Sequence, residues 1–103
     1  MHARRLRDRF FDGNLFADPA WDMMLDLFAA ELSGRRVSVS SLCIGAGVPQ
    51  TTALRWIGVL VSRGLFLRRN DPLDGRRIFV ELSDQGRLAL EHYFAAVASA
   101  TTT

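Results

Sequence analysis

Lysine is absent: all thirteen basic residues of this 103-residue chain are arginine. That bias also follows genome base composition, so by itself it excludes nothing, although arginine is the cation that engages phosphates and guanine edges bidentately. Cysteine is nearly absent. The single Cys43 cannot close an internal disulfide, which fits a reducing compartment. The two histidines, His2 and His92, stand far apart with no Cys or Asp cluster beside them, so no metal site is expected. No apolar run approaches the roughly 20 residues that a bilayer crossing needs. No apolar signal core follows the basic start MHARRLRDRFFDG either, so the expected location is cytoplasmic, with no membrane partner. Gly45-x-Gly47 lacks the third glycine and the Lys-Ser/Thr of a phosphate loop. No nucleophile–base set is visible, and the chain reads as a non-enzyme without a cofactor.

What is present is enough apolar residue, 49 % of the chain, to build one modest core, so residues 1–103 are read as a single domain. Net charge is only +2, but it is unevenly distributed. Arg35, Arg36, Arg55, Arg63, Arg68, Arg69, Arg76 and Arg77 crowd the middle of the chain against Asp71 and Asp74 alone, while both ends are acidic on balance. A basic centre between acidic ends suits one face turned toward a polyanion.

Along the chain, residues 4–11 form a short helical candidate, with Leu6 and Phe10 on one face, interrupted at Gly13-Asn14. Asp18 as N-cap and Pro19 at the first helical position predict a helix running to about Ser33 and closed by Gly34. Its core stripe is expected to be Trp21, Met24, Leu25, Phe28 and Leu32. Val37 and Val39 flank Ser38 in a very short strand. Ser40 is the expected N-cap of a second helix, Ser41 to Ala46, with Leu42, Cys43 and Ala46 inward and Cys43 read as a structural thiol. Gly47 makes the turn over Val48.

Pro49 opens a third helix and Gly64 closes it, with Ala53, Trp56, Ile57 and Leu60 on the core side. Gly58, Val59 and Val61 sit on what should be open surface and are candidates for contact with another part of the chain or with a partner. Strands are expected at Leu65–Arg69 and Ile78–Leu82, with Leu65, Leu67, Ile78, Val80 and Leu82 in period-two alternation about the turn signals Asn70-Asp71-Pro72 and Asp74-Gly75. Ser83 caps a last helix, 83–99, whose apolar row is Leu90, Phe94 and Val97 with Tyr93 beside it. The tail ASATTT is expected to fray.

This order is that of a helix-turn-helix followed by a hairpin wing. The second helix of such a pair sets its N-terminal residues against base edges. Gln50 suits adenine, Thr51 and Thr52 suit a phosphate or a thymine methyl, and Arg55, one turn on, reaches guanine or phosphate. The same four residues equally describe the solvated face of a core helix. The neighbouring basic loop favours nucleic acid.

Residues 37–91 resemble the winged-helix domain of MarR-type transcriptional regulators. The likeness lies in the serine-capped second helix, the Gly47-Val48 turn, the Thr51-Thr52 start of helix three, Arg63-Gly64-Leu65, the wing Asp71-Pro72-Leu73-Asp74-Gly75-Arg76-Arg77, and Val80-x-Leu82-Ser83-x-x-Gly86. The resemblance implies that Asp74 and Arg76 are the family's Asp-x-Arg wing pair. The arginine would enter the minor groove or touch phosphate, and the aspartate would steady it, with Arg77 as a neighbour sharing the task. A narrow minor groove concentrates negative potential that favours arginine. Pro49 stands where the family has a capping serine, and both chain ends are shorter than those from which the family builds its dimer and ligand cavity. A small-molecule effector site is therefore not carried over. Phe10, Phe11, Leu15, Phe16, Leu90, Tyr93, Phe94 and Val97 form either a homodimer surface or the rest of the monomer core.

The fold class expected is mainly α with a small β-hairpin wing, a winged helix-turn-helix: N-terminal helices in 1–34, helix-turn-helix and wing in 37–82, and a C-terminal helix in 83–99. The function expected is sequence-specific binding of double-stranded DNA, with recognition helix 49–63, wing 70–77, and Ser40, Gln50, Thr51, Thr52, Arg55, Arg68, Asp74, Arg76 and Arg77 as contacts. The alternative is a protein-interaction module that touches no DNA.

Overall fold

The computed structural model describes residues 19–101, which run α1 (Ala20–Leu32), β1 (Val37–Ser38), α2 (Val39–Gly45), α3 (Gln50–Ser62), β2 (Phe66–Asn70), β3 (Ile78–Leu82) and α4 (Asp84–Thr101). The expectations for residues 4–16 and for the Asp18 cap lie outside the described residues. Three strands form one antiparallel sheet of order β1-β3-β2. This is the winged helix-turn-helix arrangement, with the β2–β3 hairpin as the wing.

In α1 the inward stripe is Ala20, Met23, Met24, Leu27 and Ala30, rotated from the expected one. Trp21, Leu25 and Phe28 flank it and are only partly covered, while Leu32 is 75 % exposed. The reason is aromatic: Trp21 meets the Tyr93 ring edge-on at 5.2 Å and Phe28 stacks on Phe94 at 5.6 Å. The large rings thus clasp α4 from the side, leaving small and flexible residues to fill the centre. Such ring pairs contribute about 0.5–1.5 kcal/mol each beyond their burial.

Two helices end in the same device. After α1, Gly34 takes φ 68° and donates to Glu31 O, while Arg35 N–H reaches Ala30 O. After α3, Gly64 takes φ 76° and donates to Val61 O, while Leu65 N–H reaches Leu60 O. Both are Schellman motifs, which need the left-handed backbone that glycine adopts without strain. The second one explains a shift in the wing. Leu65 is already buried in the turn, so β2 begins at Phe66 instead of Leu65, and the inward residue is Phe66. Leu67, expected inward, is 41 % exposed opposite Glu81. On β3, Val80 and Leu82 face the core as expected and Ile78 does not.

The second helix starts two residues early. Ser38 is its N-cap, accepting from Ser41 N–H at 3.1 Å, and Val39 is already helical, so Ser40 does not cap it. Ser38 closes β1 in extended conformation, and that geometry aims its hydroxyl at the helix start, whereas Ser40 lies inside the first turn. Leu42 and Cys43 are buried as expected, and burial pushes the Cys43 thiol above its ordinary pKa, keeping it protonated. In α3, Ala53, Ile57 and Leu60 are fully buried, while Val59 and Val61 pack, partly buried, against the core, which is the first of the two contacts expected for them.

Ser83 joins wing and last helix. Its Oγ accepts from Gly86 N–H at 3.0 Å and donates to Gly64 O at 2.5 Å, and its own N–H reaches Leu65 O at 2.9 Å. Arg87 adds ion pairs to Glu31 of α1 at 2.6 Å and to Asp84 at 2.8 Å. Leu90 and Tyr93 are buried, Val97 is partly covered and Phe94 is 39 % exposed. The helix continues to Thr101, through most of the tail expected to fray.

Candidate nucleic-acid interface

Helix α3 owes its placement to Pro49, whose extended backbone (φ −53°, ψ 144°) turns the chain out of the Gly47 left-handed bend and into the helix. No side chain caps its N-terminus, so the first-turn N–H groups have no hydroxyl partner of the usual kind. Gln50, Thr51 and Arg55 are exposed and Thr52 is half-buried. Ser40 is exposed on α2. It shares a shallow depression of about 250 Å³ with Cys43, Ile44, Val48 and Gln50, so the starts of both helices open onto one surface.

The wing tip is a network of short-range bonds. Asp71 N–H donates to Arg77 O at 3.0 Å and closes the loop. Asp71 Oδ1 accepts from Leu73 N–H at 2.8 Å, and Asp74 Oδ1 from Arg76 N–H at 3.1 Å. Both are the local aspartate turns that make Asp a loop former. Asp74 then lies 3.5 Å from Arg76 Nε, while the Arg76 side chain is 95 % exposed. The aspartate therefore orients the guanidinium by its base and leaves the outer N–H groups in water. An exposed pair of this kind contributes only about 0–1 kcal/mol to folding.

Arg68 leans from β2 toward α3, where its Nη2 lies 3.8 Å from the point a Cβ on Gly58 would occupy. Arg68 thus lies between the wing and α3, close to Gly58. Arg77 is not at the tip. Its guanidinium carbon sits 5.1 Å from the Phe79 ring centroid, and Arg36 approaches the same ring at 5.4 Å. Arg36 was counted in the basic centre but not among the expected contacts, because its approach to Phe79 depends on the β1–β3 register, Val37↔Val80 and Ser38↔Phe79. An open groove of about 520 Å³ lies nearby, lined in part by Glu31, Arg35, Arg36, Arg69, Phe79 and Glu81. Within it Arg69 is paired with Glu81.

No protein-family model matches the chain, and no curated protein matches it in sequence. Solved structures match its fold. The S. aureus MepR–DNA complex superposes with a TM-score of 0.81 at 14 % identity, over 97 % of this chain and 79 % of that one. A probable transcriptional regulator from Pseudomonas aeruginosa gives 0.61 at 26 % identity, over 95 % and 73 %. AbfR, in its overoxidized form bound to DNA, gives 0.68 at 16 %, over 94 % and 68 %. These neighbours are MarR-family transcriptional regulators. The chain carries the MarR-type winged-helix fold that residues 37–91 implied.

Proposed function

We propose that this chain is a MarR-like transcriptional regulator that binds double-stranded DNA sequence-specifically, with α3 in the major groove and the wing on the minor groove or backbone. The observation that carries the reading is the wing tip: an arginine almost wholly in solvent, held at its base by Asp74, on a fold shared with proteins solved in DNA complexes. Gln50, Thr51, Thr52 and Arg55 supply base-edge and phosphate contacts from α3. Ser40 and Arg68 flank them, and Arg77 adds a cation at the base of the wing. The protein acts by binding and carries out no reaction.

We further propose that it works as a homodimer through its terminal helices. The 18-residue α4 presents Leu88 and Phe94, both substantially exposed, on a molecule elongated to 49 × 27 × 21 Å. A two-fold dimer would set its recognition helices about 34 Å apart, one turn of B-DNA.

Duplex affinity measured against salt tests the regulator reading. A steep linear fall of log K with log salt is expected. Arg76→Ala should weaken binding to every sequence at unchanged thermal stability, and Gln50→Ala should relax sequence preference. Flat salt dependence, or an Arg76→Ala variant that binds like the parent, overturns the reading. Sedimentation of the free protein tests the dimer.

A further inference from the structure

We propose that Arg36, Phe79 and Arg77 form a second contact to the duplex backbone, outside recognition helix and wing tip, in which the Phe79 ring positions two guanidiniums for neighbouring phosphates. The inference rests on the regulator reading above and extends its surface to β1.

Strand geometry brings the three together. Ser38 pairs with Phe79, so Arg36, two residues before Ser38, shares the Phe79 face of the sheet. Arg77, two residues before Phe79, leaves the wing on that same side. The guanidinium carbons lie 5.4 and 5.1 Å from one ring centroid, which sets them 10.5 Å apart at most, the two ring distances end to end. A duplex carries one charge per roughly 1.7 Å of its axis, so cations this close reach neighbouring phosphates.

What separates this pair from Arg69, Arg76 and Arg87 is the kind of partner. Arg69 is bound to Glu81, Arg87 to Glu31 and Asp84, and Arg76 stands beside Asp74. Among the described residues, no carboxylate lies within ion-pair distance of Arg36 or Arg77. A ring face holds a guanidinium through its quadrupole without neutralising it and without occupying its N–H donors. Phe79 therefore restrains two long side chains while leaving both charges and their bidentate edges for phosphate oxygens. Restraint before binding lowers the ordering cost at the interface. Phe79 is thus a positioning residue and the arginines are the contacts.

The test is binding of a mixed-sequence double-stranded DNA oligonucleotide, followed by fluorescence anisotropy over a salt series, with thermal unfolding of every variant as a control. Arg36→Ala is expected to lose affinity several-fold and to reduce the salt slope by about 1, as for one phosphate contact. Phe79→Leu should weaken binding with both arginines still present, and Phe79→Trp, which keeps an aromatic face, should restore it. Parent-like affinity and slope in folded Arg36→Ala and Phe79→Leu, alongside a loss in Arg76→Ala, overturn this inference and leave the regulator reading standing. Absence of salt-dependent binding by the parent protein overturns both.

Discussion

Gly86 lies backbone to backbone with Leu65. A Cβ placed on Gly86 would overlap the Leu65 carbonyl oxygen and come within 3.2 Å of its carbon. The same oxygen accepts the Ser83 N–H at 2.9 Å, so the first turn of α4 is pinned to the start of the wing at a point where nothing can yield. Gly86→Ala is therefore expected to destabilise by about 1–3 kcal/mol, the usual range for overpacking a tight site. Gly58→Ala is the contrasting case, since only the far end of Arg68 comes near, at 3.8 Å. There the gain in helix propensity should prevail and stabilise α3 by about 1 kcal/mol. Urea unfolding of the two variants, one shifted down and one up, checks both.

Two serines two residues apart should behave differently. Ser38→Ala removes the hydroxyl that accepts from Ser41 N–H and is expected to cost about 1 kcal/mol, the usual worth of an N-cap. Ser40→Ala, exposed within the first turn of α2, should leave the unfolding midpoint nearly unchanged. Its effect, if the proposed interface is right, appears in duplex affinity. Thermal melts alongside DNA titrations separate the two roles.

Asp26 gives a pH dependence of defined sign. Partial burial, and secondarily the charge of Asp22, raise its carboxyl above the ordinary aspartate value, with Arg35 pulling the other way. The folded state thus holds the proton more tightly than the unfolded chain. That contribution is fully present below the unfolded pKa and is lost as pH rises through the folded one. Asp26→Asn, always neutral, should be more stable than the parent at neutral pH, by less than about 1 kcal/mol because solvent screens so open a group. The difference should close in acid. Paired urea titrations at neutral and acid pH measure it, and Arg35→Ala should widen the gap at neutral pH by removing the one favourable charge.

Much of the fold was legible because local chemistry specifies it. Gly34, Gly47 and Gly64, each followed by an apolar residue or a basic one, mark the left-handed turns that the structure shows at those positions. The period of apolar residues in α3 identified Ala53, Ile57 and Leu60. The aspartate turn signals of the wing stand as local hydrogen bonds, and Asp74 lies beside Arg76 as the family resemblance implied. The misreadings occurred where a neighbour in space chose among locally equal options. Trp21 and Phe28 are apolar enough for the centre, but Tyr93 and Phe94 draw them to the flank. Leu65 and Leu67 share a period, yet the turn at Gly64 buries the first before the strand begins.

The sequence by itself determined the order of elements, the sites of their turns, the charge concentrated in the middle of the chain, and an arginine at the wing tip, because each follows from residues a few positions apart. Only the tertiary structure decided which faces of α1 and β2 point inward, which serine caps α2, and that Arg36 joins Arg77 on one aromatic ring. The α1 face and the Arg36–Arg77 pairing depend on strand register and helix docking between segments some forty or more residues apart, contacts that no local periodicity encodes; the β2 face and the α2 cap follow from where the chain enters and leaves the sheet.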